Sequence, residues 1–323
     1  MPNNFMSNSI LELFTISTKS QEVAWEQIVN KQYCSYLDKR CVKVRKSRPE
    51  ISIGTCSVRH GVKNPKDIVI CPHRFLEKNQ IFMDCIELLT LHQKGNELHK
   101  VSEISIPGGN VDYVLASVRN SKVVDFVGIE IQTLDTTGTW WPQRQQFLKS
   151  AGVSVLEEDA SREVESADLI EGDEAEETAI SVDAIDTLDT QKTKSKKKKK
   201  GSGMNWKMTA KTILMQLHHK VTTFEHLNKH MVVTIQDSFL DYMKKEFSFE
   251  HIKDAKLGDS MHFHAYRLEE IQNQPRLRFA SAISTDANGI AACLGLNVSP
   301  SVEMETIIST LQAKISEKTL LTV

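Results

Sequence analysis

The sequence predicts an α/β fold with a mixed β-sheet, and three observations carry that prediction. Short runs rich in Val and Ile fill residues 103–135, which is typical of paired strands bounded by turns. A helical pattern precedes them at residues 81–89, and a longer one follows at residues 204–230. Helices on both sides of a strand pair favour an α/β order. A chain of 323 residues with 40% hydrophobic content can bury a sizeable core.

Residues 1–30 are predicted to form an N-terminal helical segment. One or two short helices are expected between Ile10 and Asn30, with Trp25 and Ile28 on the apolar face. The N-terminus has no basic leader followed by a long apolar run, and no run approaches the roughly 20 residues that span a bilayer. We therefore expect a cytoplasmic protein without membrane contact.

Residues 31–75 carry four of the six cysteines, namely Cys34, Cys41, Cys56 and Cys71. Lys and Arg residues are interleaved with them. In a reducing compartment such a cluster is more often a metal site than a pair of disulfides. Four thiolates suit Zn²⁺ or iron, although the spacing is not that of paired CxxC motifs. Unrelated buried thiols are the equally weighted alternative.

Residues 76–155 contain the strand pair, whose two runs are separated by the turn Arg119–Lys122. Side chains alternate along a strand, so Glu130 and Gln132 point to the same face. Asp112 on the neighbouring strand would join them. Two carboxylates and an amide suit a divalent cation that directs water at a phosphodiester. Strand-end acids that are solvated or paired with Arg are the alternative.

Four other residues of note are assigned to packing. Trp140 and Trp141 could stack on nucleic-acid bases, but core or interface packing is favoured. Cys85 and Cys293 stand in apolar surroundings and are predicted to be inert core thiols.

Charge is distributed unevenly along the chain. Residues 156–190 hold fourteen acidic residues and one basic residue, a charge of −13, whereas the rest holds 39 basic and 28 acidic residues, or +11. Residues 156–203, which end in a lysine run and a Gly-Ser-Gly hinge, are predicted to be a flexible insertion. The insertion could mimic DNA over the basic surface, but a solvated linker is favoured. The basic remainder suits a polyanionic partner such as DNA.

Residues 204–323 are predicted to complete the core with DNA-binding helices. The first helix is expected to turn apolar residues inward and lysines outward. The inward set is Ile213, Leu214 and Leu217, and the outward set is Lys207, Lys211 and Lys220. A helix at residues 235–247, strands at residues 259–268 and 277–284, and a closing helix at residues 301–318 follow.

Several enzyme classes lack their motifs in this sequence. The chain contains no Walker A sequence, no GxGxxG after a strand and no GxSxG elbow. ATP-driven, nicotinamide-dependent and serine-hydrolase mechanisms are therefore disfavoured.

Several blocks, in order, resemble the NotI-type restriction endonucleases, which cleave palindromic double-stranded DNA as homodimers. The resemblance covers roughly residues 30–140 of the 323. The matching blocks are CVKV at Cys41, GTCSV around Cys56, VICPHRFL at Cys71, GNVDYVLASV at Asp112 and GIEIQTLD at Glu130.

The resemblance implies a mixed-sheet nuclease core of the PD-(D/E)XK type with an N-terminal four-cysteine metal knot. It implies that Asp112 and Glu130 bind catalytic Mg²⁺, that Gln132 replaces the usual lysine and that Glu103 is a supporting acid. The four cysteines of residues 31–75 would bind structural iron, with zinc as the alternative.

The implied function is that of a type II restriction endonuclease in a restriction-modification system. Its partners would be double-stranded DNA, a second copy of the chain and, without stable contact, a cognate DNA methyltransferase. Two alternatives remain open. One is a non-catalytic, metal-stabilised DNA-binding protein, and the other is a structure-selective repair nuclease.

Overall fold

The computed structural model describes residues 9–61, 64–137, 139–155 and 203–296. Its strands are β1 (Ile10–Leu13), β2 (Ile16–Ser17), β3 (Tyr33–Cys34), β4 (Lys39–Arg40), β5 (Thr55–His60), β6 (Lys66–Val69), β7 (Glu97–Ile106), β8 (Gly109–Arg119), β9 (Lys122–Gln132), β10 (Thr136–Thr137), β11 (Gly203–Met204), β12 (His230–Gln236), β13 (Lys253–Asp254), β14 (Met261–Ile271) and β15 (Gln274–Thr285). Its helices are α1 (Trp25–Lys31), α2 (Gln80–Met83), α3 (Trp141–Ser150), α4 (Trp206–His226), α5 (Asp237–Glu246) and α6 (Ala287–Cys293).

A seven-stranded mixed sheet organises the molecule, in the order β13-β15-β14-β12-β9-β8-β7. Strands β7, β8 and β9 form an antiparallel meander. The chain then passes through α4 and returns as β12, which lies parallel to β9 and to β14. A parallel neighbour needs such a crossover because a tight turn can only reverse the chain. The mixed α/β class is therefore confirmed.

Helices cover one face of this sheet, and short helical turns cover the other. On the first face, apolar residues of α4 and α5 pack against β12 and β14. Each fully buried Leu, Ile or Phe of this layer contributes about 1.5–3 kcal/mol of transfer free energy. On the second face, the segment from Phe75 to Leu89 packs against Val127, Ile129 and Ile131 of β9. Strand β9 is thus buried from both sides.

A smaller antiparallel sheet, in the order β2-β1-β5-β6, precedes the central one. The short pair β3-β4 lies between its strands in sequence. Gln236 of β12 joins the two sheets because its side chain accepts a hydrogen bond from the Val69 backbone at 2.9 Å and donates one to the Asp67 carbonyl at 2.6 Å.

Two predictions of secondary structure are wrong. Residues 10–17 form strands β1 and β2, and the first helix begins only at Trp25. All four residues of β1 are buried, and so short an apolar run cannot be assigned by periodicity alone. The helix expected at residues 81–89 is broken into short turns. A 3₁₀ segment, Pro72–Asn79, ends with Lys78 and Asn79 at positive φ, and only α2 follows as α-helix.

The remaining predicted elements within the described residues are confirmed. Strands β8 and β9 pair around the predicted turn, and α4, α5, β14 and β15 form where the sequence predicts them. The acidic stretch, the lysine run and the closing helix at residues 301–318 lie outside the described residues. Among the described helices, none is both long and apolar enough to span a bilayer.

Candidate active site

Three acids from neighbouring strands form a row across the central sheet. Strand β8 places Asp112 between two carboxylates, because the register sets Glu103 of β7 on one side and Glu130 of β9 on the other. The flanking pairs Ser102↔Tyr113 and Ile104↔Val111 define the first neighbour, and Tyr113↔Ile129 defines the second. The pair of Glu103 and Asp112 is itself missing from the β7–β8 ladder, and Asp112 and Glu130 lie one position beyond the last pair of β8 with β9.

Asp112 and Glu130 interact through the backbone as well as by charge. The Ile131 N–H donates a hydrogen bond to Asp112 Oδ2 at 2.8 Å. The Asp112 backbone N–H in turn stabilises the Glu130 carboxylate. Asp112 is exposed, whereas Glu130 is 3% exposed. The sheet therefore presents one accessible and one recessed carboxylate side by side.

The electrostatics of Glu130 are unusual for a carboxylate. Burial raises its pKa to about 7, the hydrogen bond from Lys220 opposes that rise, and the charge of Asp112 reinforces it. A buried carboxylate whose charge is disfavoured by a neighbouring carboxylate is typical of active sites and cation sites. A bound divalent cation would relieve this repulsion.

Gln132 and Glu103, the other two predicted site residues, differ in burial and in backbone conformation. Gln132 is half-buried two positions after Glu130, and its amide makes no hydrogen bond to any residue the structure describes. Glu103 is exposed on edge strand β7 with a φ of 57°. This left-handed backbone is uncommon for a residue with a side chain, and it interrupts the ladder beside Asp112. The structure thus brings all four predicted site residues into one region.

Glycines allow α4 to lie close to this row. A Cβ on Gly128, two positions before Glu130, would approach the Phe224 ring of α4 to 2.3 Å. A Cβ on Gly108, in the β7–β8 turn, would approach the His219 carbonyl oxygen to 2.8 Å. Thr223 Oγ1 also donates to the Pro107 carbonyl at 2.8 Å. The helix is therefore held directly over the acidic end of the sheet.

Lys220 belongs to the site, although the sequence predicts it at the surface. The outward orientation predicted for it is wrong, because it is 8% exposed and its Nζ lies 2.7 Å from Glu130 Oε1. A signal was present in the spacing: Lys220 continues the stripe of Ile213, Leu217 and Phe224 at intervals of three and four residues. A lysine in an apolar stripe indicates a buried partner.

The cysteine-bearing region lies next to the acidic row. His73, two positions after Cys71, has its pKa lowered by burial and by Lys39 and Lys43, while Asp112 opposes that shift. His73 is therefore within electrostatic reach of both the acid and the lysines.

The four predicted metal-ligating cysteines gather in the same part of the molecule. The thiols of Cys56 and Cys71 interact, which lowers the pKa of Cys71 to about 7 and raises that of Cys56, with Lys43 contributing to the acidity of Cys71. Burial raises the pKa of Cys34, which also senses Cys41 and Cys71. All four thiols are free.

Neither predicted metal site is complete from side chains alone. Among the residues that the structure describes, no three or more His, Cys, Asp or Glu side chains are placed to hold one metal ion. For Mg²⁺, the pair Asp112 and Glu130 still fits, because this ion usually takes one or two carboxylates and fills its shell with waters and phosphate oxygens. The positions of the four cysteines do not fit a tetrahedral four-sulfur site, because such a site needs all four thiolates around one point.

The packing roles assigned to other residues are confirmed. Trp140 and Trp141 are 6% and 7% exposed, and the guanidinium carbons of the buried Arg45 and Arg144 lie 4.2 and 4.5 Å from the ring centroid of Trp141. Cys85 and Cys293 are 0% and 4% exposed. These tryptophans are not available to bases.

No protein-family model matches the chain, and no curated protein matches it at a significant level. Its function is therefore inferred from its residues and their geometry.

Proposed function

We propose that the protein is a Mg²⁺-dependent, site-specific deoxyribonuclease of the type II restriction class, related to the NotI-type enzymes. The observation that carries the proposal is the row of Glu103, Asp112 and Glu130 across β7, β8 and β9, with Gln132 two positions further along the same face. Exposed and recessed carboxylates side by side suit a cation that must also reach a phosphate.

The strand order supports the same class. An antiparallel meander that carries the acids, followed by a crossover helix and a parallel strand, is the arrangement expected of a PD-(D/E)XK core. Here these elements are β7 to β9, α4 and β12. The charge of +11 outside residues 156–190 also suits a DNA partner.

In the proposed reaction each chain residue has a limited task. Asp112 and Glu130 hold the cation, Glu103 adds negative charge beside Asp112, and Gln132 orients the attacking water through its amide. When bound, Mg²⁺ lowers the pKa of a coordinated water and offsets charge on the phosphate oxygens. The water oxygen bonds to phosphorus and loses a proton to solvent. The P–O3′ bond breaks, and the departing 3′ oxygen takes up a proton, which leaves a 3′-hydroxyl and a 5′-phosphate.

The proposed assembly is a homodimer whose two-fold axis coincides with that of a palindromic site, so that each subunit cuts one strand. A four-cysteine iron or zinc knot next to the site would order the loops of residues 31–75. Because the thiols do not surround one point, no step of the reaction depends on that metal.

The test is incubation of the purified protein with phage and genomic DNA in Mg²⁺ buffer, followed by mapping of the fragment ends. Discrete fragments with one common end sequence are expected, and EDTA should abolish them. A protein that shifts DNA in a gel with or without Mg²⁺ and never nicks it would instead be the non-catalytic binding protein. Cutting that follows DNA structure rather than sequence would favour a repair nuclease.

A further inference from the structure

A buried lysine reaches the acidic row from outside the sheet. Lys220 lies on α4 among apolar neighbours, and its Nζ is 2.7 Å from Glu130 Oε1. Its Cε also lies 3.3 Å from the position that a Cβ on Gly109 would occupy. The first residue of β8 and the helix together fix the direction of this side chain.

The ammonium group of Lys220 has hydrogen-bond donors that the described residues leave unused. An ammonium group has three donors, and Glu130 is the one acceptor that the described residues provide. Burial of a lysine costs free energy, which single pairing offsets incompletely. A bound phosphate oxygen or water would accept the remaining hydrogen bonds.

Gln132 leaves the site without a positive side chain on β9. The position is on the same strand face as Glu130, but its amide is neutral and cannot stabilise an anionic transition state by charge. Among the residues that the structure describes, Lys220 is the cation that pairs with an acid of the row, and it comes from α4.

We infer that Lys220 is a catalytic residue that supplies from α4 the positive charge which Gln132 lacks. It donates to the scissile phosphate or to the attacking water and remains protonated throughout. This inference rests on the proposed nuclease function. The alternative is that Lys220 only neutralises Glu130 to allow its burial.

The experiment compares single-turnover cleavage by the full-length wild type and by Lys220→Met, Lys220→Arg and the double variant Lys220→Met with Gln132→Lys. Lys220→Met should cut at least about a hundredfold more slowly, the size of effect seen when one charge-stabilising donor is removed. Lys220→Arg should retain more activity. The double variant should recover at least about tenfold over Lys220→Met, because the charge returns on β9.

Two further measurements test whether Lys220→Met still binds DNA and Mg²⁺, so that slower cleavage is not caused by lost binding. DNA affinity in EDTA should change less than about threefold in Lys220→Met, since the residue is buried and contributes little to non-specific binding. Calorimetric titration with Mg²⁺ alone should give tighter binding in Lys220→Met, because a neighbouring positive charge has been removed. Lys122→Gln, an exposed lysine at the opposite end of β9 from Glu130, is the matched control and should cut at the wild-type rate.

The outcomes are distinct. If the wild type does not cut DNA, the proposed function and this inference both fall. If the wild type cuts and Lys220→Met cuts within about threefold of it, only the role of Lys220 is overturned. If Lys220→Met loses its fold, the Arg and double variants decide: a folded double variant without recovered cleavage overturns the inference.

Discussion

Two buried glutamates, Glu12 of β1 and Glu130 of β9, occupy similar depths in the molecule but very different surroundings. They are 2% and 3% exposed. Glu12 accepts hydrogen bonds from Ser57 Oγ at 2.6 Å, Arg74 Nε at 2.9 Å and Tyr36 Oη at 3.2 Å. Its charge is therefore met by several fixed donors.

Arg74 completes the network around Glu12. Its other nitrogens donate to Glu77 at 2.7 Å and to the Pro275 carbonyl at 2.7 Å. Each of the three guanidinium nitrogens therefore has a protein partner. The network joins β1 to the start of β15 and has a structural role.

Glu130 has a lysine and a backbone N–H as partners and a second carboxylate as its neighbour. A buried acid with satisfied partners stabilises a fold, whereas one placed beside another acid suits a ligand that brings positive charge. The number and sign of the neighbours thus distinguish a structural acid from a candidate catalytic one.

The largest expected effect comes from removing the acids of the row. Glu130→Ala and Asp112→Asn should each slow DNA cleavage in Mg²⁺ at least about a thousandfold, equivalent to about 4 kcal/mol of transition-state stabilisation. Single-turnover gel assays measure this loss.

Glu97→Ala is the matched control for the row. Glu97 is an exposed acid on β7, away from Asp112 in the ladder, and its removal should leave the cleavage rate unchanged. Wild-type cleavage by Glu130→Ala would contradict the assignment of the site.

Substitution of Glu12, the structural acid, should lower stability and leave the cleavage rate unchanged. Glu12→Ala leaves Arg74 buried without its main partner, so the free energy of unfolding should fall by about 3–5 kcal/mol. Urea unfolding measures it. The cleavage rate of the folded variant should equal that of the wild type, and a selective loss of cleavage at unchanged stability would remove the distinction between the two glutamates.

A third prediction applies the comparison to thiols. If a bound iron or zinc ion draws the four thiols of residues 31–75 around one point, Cys71→Ser should remove about one ion per chain, with at least about a hundredfold weaker binding, or about 3 kcal/mol. Elemental analysis of the purified protein measures it. Cys85→Ala, a buried thiol whose pKa is raised by burial, is the control and should keep the metal. A native protein with four free thiols and no metal would show that the knot is absent.

The smallest expected effect is the loss of stability at low pH that the buried histidines His262 and His264 cause. Burial lowers the pKa of His262 and of His264 to about 4. The unfolded chain, with histidine near its ordinary pKa of about 6.5, binds more protons between these values, so stability falls as the pH drops through that window. Between about pH 7.5 and about pH 5, the free energy of unfolding of His264→Gln should fall by roughly 2 kcal/mol less than that of the wild type. Urea unfolding at the two pH values measures both losses of stability. Equal losses in the wild type and in His264→Gln would show that His264 does not contribute to the pH dependence.

Local patterns predicted the acidic strands well. The turn at Arg119–Lys122, the pairing of β8 with β9, and the shared face of Glu130 and Gln132 all follow from alternation and turn residues. The same patterns failed at β1, where four consecutive buried residues carry no period, and after Pro72, where Lys78 and Asn79 break the helix.

The sequence by itself determined which residues of β8 and β9 share a face, because the period of a strand is a property of the backbone and needs no distant partner. Only the tertiary structure decided that Glu103 lies opposite Asp112 and that Lys220 turns inward to Glu130. Those relations depend on strand register and on how closely α4 approaches the sheet. Gly108 and Gly128, which are distant from α4 in sequence, allow that close approach. Docking of elements is a non-local choice, and no local period encodes it.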